Sequence, residues 1–216
     1  MIKNWDRTES KPLLGRIGGS IRPSDKSVKE KITAAVFRLK TQQNKLEFAS
    51  LKMQQRNKEL FQKCIDAQVA KDVARASMYA EECAEIRKIA KVTLQCELAI
   101  EQAAVRLEAV QAFGDMASNM APVAGVIRSL GAQISGLMPE VSYELGLVGE
   151  TLKDIVVEVG GVGDTALKTE ATSEEARKIL TEASAIAEQK VKERFPEFLS
   201  GTSTPVGQER SAQPPS

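Results

Sequence analysis

Between Ser24 and Phe113 the chain runs through ninety consecutive residues without a glycine or a proline, although it holds 14 glycines and 8 prolines among its 216 residues. Those two residues cost most inside a helix, so excluding both removes every cheap place to stop. The stretch is predicted to be helix. At 1.5 Å rise per residue it spans roughly 135 Å as one rod, or about half that as a hairpin. The chain is 42% apolar but has only nine aromatics: one Trp, two Tyr and six Phe. That composition suits narrow Ala/Leu/Ile/Val seams between helices rather than a thick core. The expected fold class is all-α: a long antiparallel helical hairpin with shorter helices packed on it and flexible termini.

The seams place the hairpin. Val28, Ile32, Ala35, Leu39, Gln42, Leu46, Ala49, Met53, Arg56 and Leu60 recur at coiled-coil spacing, with Gln42 and Arg56 as polar interruptions. A second series, Ile86, Ile89, Thr93, Cys96, Ile100, Ala103, Leu107 and Val110, lies two residues out of that register. A break therefore falls between them, and Cys64 to Asp72 is its expected site. The first helix is expected to open after Pro23, capped by Ser24 or by Ser27 with Glu30 in capping-box spacing. Ala90, Leu94, Leu98 and Val105 widen the second arm's apolar face beyond what one partner covers, so another element must pack there.

Residues 114–159 offer that element through Met116, Met120, Val123, Ile127, Leu130, Ile134, Leu137, Val141, Leu145, Val148, Leu152, Ile155 and Val159, among six glycines and two prolines. Helices so built are held mainly by docking. They suit either a permanent cap on a bundle or a segment that detaches when a partner arrives. The expected organisation is an amino-terminal arm over 1–23, a helical core over 24–159 and a linker over 160–172. A segment over 173–199 follows, its helix opened by the Thr172/Glu175 capping box and ended by Pro196, and then a disordered tail over 200–216.

Chemistry has little to stand on. The absence of histidine removes the usual general base, nucleophile partner and transition-metal ligand. Cys64, Cys83 and Cys96 show no CxxC spacing and read as buried reduced thiols. Ile155–Val159 followed by Gly161-x-Gly163-x-x-Ala166 mimics a dinucleotide-binding turn, but no second strand supports it. No catalytic residue, metal or cofactor is expected. Uncharged runs reach about a dozen residues, short of the ~20 needed to cross a bilayer. The start, Met1 to Asp6, lacks a signal-peptide core. A cytosolic protein is the expectation.

Charge is distributed unevenly. Residues 1–64 carry 15 basic and 6 acidic side chains, a balance of +9, and the remainder carries 15 and 23, a balance of −8. The front is suited to an anionic surface, and the acidic rear is suited to compete for it by folding back. Lys31, Arg38, Lys45 and Lys52 recur every seven residues, lining one helix edge about 10 Å apart. Ahead of them Ile2, Trp5, Leu13 and Leu14, with Arg16 and Arg22, make a basic arm with apolar teeth. These ten are the candidate membrane-binding residues. The other reading is a row of flanking charges that pair with acids on the second arm. Sparse aromatics and the lack of a base-reading motif argue against nucleic acid. Each cation near an anionic membrane contributes about 1 kcal/mol, so one molecule grips weakly and an array firmly. Phe37, Phe48 and Leu51, off the seam, are candidate polymer contacts between copies.

The order of these features resembles the ESCRT-III core over roughly residues 24 to 160. It comprises a basic first helix, a hairpin near Ala67 to Asp72, Ala74-Arg75-Ala76 through Tyr79-Ala80, Ile86-Arg87-Lys88, and Val110-Gln111-Ala112-Phe113-Gly114-Asp115-Met116-Ala117. It is most similar to the archaeal cell-division, CdvB-like branch. The resemblance implies a non-enzymatic subunit that switches from a closed to an open form and polymerises with itself and with paralogous ESCRT-III subunits. It also implies remodelling of membrane from the cytoplasmic face at the division site, and disassembly by an AAA ATPase with an MIT domain. Glu188, Val191, Arg194, Phe195 and Phe198 resemble the helical form of the motif such a domain grips, with Leu199 standing where a basic residue is usual. Phe195-Pro196-Glu197-Phe198 resembles its extended form. About 50 residues follow the linker, so the winged-helix-like segment of some archaeal members is not expected, and recruitment through other subunits is. A soluble coiled-coil scaffold without membrane activity is the competing reading.

Overall fold

The computed structural model describes residues 23–113, 116–160 and 165–195, which form five helices and no strand. They are α1 (Pro23–Val69), α2 (Val73–Phe113), α3 (Met116–Ile134), α4 (Pro139–Gly160) and α5 (Thr165–Arg194). The arm over 1–22 and the tail beyond 195 lie outside the described residues.

α1 opens on Pro23 itself rather than on a serine cap, because the fixed φ of proline suits the first helical position and its missing N–H is no loss there. α1 and α2 form the expected antiparallel hairpin, and the turn is a Schellman motif. The Asp72 N–H bonds to the Ala67 carbonyl at 2.9 Å and the Lys71 N–H to that of Gln68 at 3.0 Å, with Lys71 at φ 58°. Asp72 then caps α2, its Oδ1 accepting the Arg75 N–H at 3.1 Å. Small side chains let the two arms meet closely near the tip, where Cys64, Ala67 and Ala76 form a satellite cluster with Tyr79 and Ala80.

The α1 seam follows the expected positions to Leu46 and then steps four residues to Ser50, and on to Asn57, Leu60, Cys64 and Ala67. Asn57 is buried where Arg56 was expected, and Arg56 is exposed beside Glu59. A 3-4-4 step makes eleven residues over three turns and locally unwinds a left-handed coil, which moves the seam by one residue. Gln42 is buried in the seam at 3% exposure, as expected of a polar interruption. On α2 the deepest tipward positions are Cys83 and Ala90, with Ile86 and Ile89 half-buried.

From Thr93 to Ile100 only Gln95 escapes full burial, because this part of α2 is enclosed by α1, α3 and α5. Val105, expected on that wide face, is exposed. α3 and α4 make a second antiparallel hairpin. Where the two helices meet, the Gly131 carbonyl accepts Ser142 Oγ at 2.8 Å. Pro139 starts α4 with Glu140 in its first turn, a favourable sign against the helix dipole. Met120, Val123, Ile127, Leu130, Ile134, Val141, Leu145, Val148, Leu152 and Ile155 are buried, whereas Leu137 and Val159 are exposed. Leu137 falls in the turn and Val159 in the last turn of α4.

α5 begins at Thr165, inside the expected linker, and places Thr172 and Glu175 within the helix rather than at its cap. Between Thr165 and Phe195 no glycine or proline intervenes, and Ala166, Leu167, Lys168 and Glu170 are strong helix formers, so the helix extends upstream.

Candidate functional site

The stripe on α1 is a built feature of the bundle. Lys31 and Lys45 lie on the edge of α1 that faces α4, and α4 runs antiparallel to α1. Lys31 Nζ meets Glu158 at 2.8 Å near one end of α4, and Lys45 pairs with Glu140 at the other. The hydrogen bond and charge of Lys45 hold the Glu140 carboxyl below its ordinary range. Arg38, midway between these pairs, and Lys52, beyond the start of α4, are exposed and have no partner among the described residues. The cover therefore comes from α4 rather than from the second arm. One contact follows the flanking-charge pattern, Lys40 with Glu108 of α2 at 2.5 Å, but Lys40 is outside the stripe.

Ion pairs this exposed are weak and screened by salt. What seats α4 is its apolar face: Val141, Leu145, Val148, Leu152 and Ile155 are each at most 1% exposed. The lysine pairs adjust the strength of that docking.

α5 lies antiparallel to α2, with Glu188 on Lys91 at 3.2 Å and Glu175 on Arg106. The hydrogen bond and charge of Lys91, joined by Lys192, pull the Glu188 carboxyl below its usual range. Ile179, Ala183 and Ala187 enter the core and Leu180 and Val191 pack on it. At the end of α5 Phe195 is 1% exposed, and Gln54 Nε2 donates to the Arg194 carbonyl at 3.4 Å. Of the candidate motif residues, Glu188, Val191, Arg194 and Phe195 lie against the hairpin, and Pro196 and Phe198 lie outside the described residues.

Beneath this end of α5 sits Glu97, which no sequence periodicity singled out. It is 8% exposed, and its Oε2 finds no hydrogen-bond partner among the described residues. Burial pushes its carboxyl up. The charges of Lys190 and Arg194 on α5 oppose that shift, and those of Glu47 on α1 and Glu101 on α2 add to it.

Phe37, Phe48 and Leu51 stand outward from α1 at 73%, 71% and 54% exposure. Ile2, Trp5, Leu13, Leu14, Arg16 and Arg22 lie outside the described residues. The three cysteines are buried and reduced, and burial raises the Cys96 thiol to about 12, so it stays protonated. Among the described residues no cluster of His, Cys, Asp or Glu has a metal-binding arrangement. No helix there is long and apolar enough to cross a membrane.

The chain is 43% identical over 176 residues to Cell division protein B1 of Sulfolobus acidocaldarius, an overlap covering 82% of each chain. It is 33% identical over 185 residues to Cell division protein B of the same organism, covering 86% of this chain and 71% of that one. No family model and no solved structure matches.

Proposed function

Since the chain belongs to the cell division protein B family, the archaeal branch of ESCRT-III, we propose that it is a filament subunit of the division machinery and that the closed bundle is its dormant state. In this reading anionic lipid and α4 compete for the same cations. When α4 leaves, Lys31 and Lys45 join Arg38 and Lys52 in one uninterrupted basic edge on a rigid helix, and the subunit polymerises with itself and with paralogues on the inner face of the cell membrane. Release of α5 frees Val191 and Phe195 for the MIT domain of an AAA ATPase, which disassembles the filament.

The observation that carries this reading is the pairing of Lys31 with Glu158 and of Lys45 with Glu140. Half of the stripe is matched to acids on a helix rich in docking contacts and interrupted by Gly146 and Gly149. Interior glycines cost roughly 0.5–1 kcal/mol each relative to alanine, so α4 is poor as a free helix and dependent on its seat.

Cosedimentation with vesicles of anionic and of neutral lipid, at low and high salt, tests it. Binding is expected only to anionic vesicles and to fall as salt rises, and reversing Lys31, Arg38, Lys45 and Lys52 to Glu is expected to abolish it. Binding that survives the reversal, or none to anionic lipid, favours the soluble scaffold instead.

A further inference from the structure

Among the described residues two helix faces carry exposed large apolar side chains. On α1 these are Phe37, Phe48 and Leu51, and on α4 they are Tyr143, Leu147 and Val157 at 67%, 37% and 68% exposure. Buried side chains of α4 point the other way, so the second set lies on the helix's outer side. Each helix thus turns three large apolar side chains away from the core among the described residues, spaced along its outer side with polar residues between them.

The two sets match in spacing. From Phe37 to Leu51 and from Tyr143 to Val157 the span is about 21 Å at 1.5 Å per residue. Set antiparallel, Leu51 falls opposite Tyr143, Phe48 opposite Leu147 and Phe37 opposite Val157, each within about one residue's rise of level. The parallel setting loses the fit, placing Phe48 opposite Asp154. Charge agrees as well. α1 carries 10 Lys or Arg against 5 Asp or Glu, a balance of +5, and α4 carries 1 against 5, a balance of −4. In the antiparallel register Arg38 comes within a turn of Asp154 and Lys52 within a turn of Glu144. None of these four has a partner among the described residues.

We propose that a second copy of this chain docks the outer face of its α4 antiparallel on the outer face of α1, in the register Phe48 to Leu147. The subunit already uses the same pairing internally, since its own α4 lies antiparallel to α1 through Lys31–Glu158 and Lys45–Glu140. The contact is thus α1–α4 pairing repeated between copies. It rests on the filament reading and gives the contact by which subunits gather while α4 is still seated, before its release exposes the basic edge.

Full-length Phe48→Cys and Leu147→Cys proteins, mixed under mild oxidation, test the register. A disulfide needs Cα atoms within about 7 Å, and the native thiols are buried. A mixed 48–147 disulfide is expected. Phe37→Cys mixed with Leu147→Cys is off register by about 16 Å and is expected to give none. Asp154→Arg is expected to reduce the 48–147 product, and adding Arg38→Asp to the partner to restore it. Equal yields from both cysteine pairs, or no 48–147 product while the protein sediments as an assembly, overturns this contact and leaves the filament reading standing. A chain that stays monomeric in sedimentation at every condition overturns both.

Discussion

Replacing Phe195 with alanine removes the largest anchor at the end of α5. The side chain is 1% exposed, and truncating a buried phenylalanine costs about 3–5 kcal/mol. The lower end applies here, because Phe195 sits where α5 ends and the site can relax toward solvent. Among the described residues the rest of the apolar α5 contact is three small or medium buried residues, Ile179, Ala183 and Ala187, with Ala176, Leu180 and Val191 partly covered. A loss of about 3 kcal/mol therefore removes a large fraction of the docking and raises the undocked population roughly a hundredfold. Native-state hydrogen exchange reads this directly. Amides of α5 from Leu180 to Gln189 should lose about two decades of protection in Phe195→Ala, while amides near Cys64 and Ala76 at the hairpin tip keep theirs. Unchanged α5 protection would mean that Phe195 does not anchor the helix. An equal loss across all five helices would mean that α5 does not move independently of the core, and the proposed release of the ATPase motif would lose its basis.

Two further outcomes follow from the same geometry. Lys71→Gly should stabilise the protein by up to about 1 kcal/mol, because Lys71 holds a left-handed φ of 58° that glycine adopts freely; denaturant melts check it, and a destabilised variant would count against the Schellman turn. Glu97, whose docked carboxyl is raised by burial, favours docked α5 fully below the ordinary carboxylate value of 4.5, and that contribution is lost as pH rises through its docked value. Glu188, whose carboxyl is lowered, contributes above 4.5 and is lost as pH falls below it. Glu97→Gln should therefore tighten α5 at neutral pH and flatten the upper limb of its pH profile in hydrogen exchange, and an unaltered profile would exclude Glu97 as its source.

The glycine- and proline-free stretch and the two-residue register slip sufficed to place the hairpin and its turn region. The turn residue itself was hidden, because a Schellman motif usually announces itself with glycine and here uses Lys71. The wide apolar face of α2 foretold a third layer, and residues 114–159 supply part of it through α3, but the share taken by α5 was not foreseen. Periodicity describes one helix at a time, so it showed the stripe from Lys31 to Lys52 without showing that its partners sit on α4. For the same reason Glu97 was invisible: its burial depends on the end of α5, more than ninety residues downstream. The one-residue step at Leu46 to Ser50 escaped because Ala49 is as acceptable in a seam as Ser50, and only the partner surface decides between them. The start of α5 was drawn too late because Thr172 and Glu175 fit a capping box that the stronger helix formers upstream override.

The central claim is that α4 and an anionic surface exclude one another on α1. Hydrogen exchange of the full chain, with and without anionic vesicles, measures it most directly. The account predicts that vesicles strip protection from the α4 amides between Val141 and Ile155 while α1 between Lys31 and Lys52 stays protected. Vesicle-bound protein whose α4 remains as protected as in solution would contradict it.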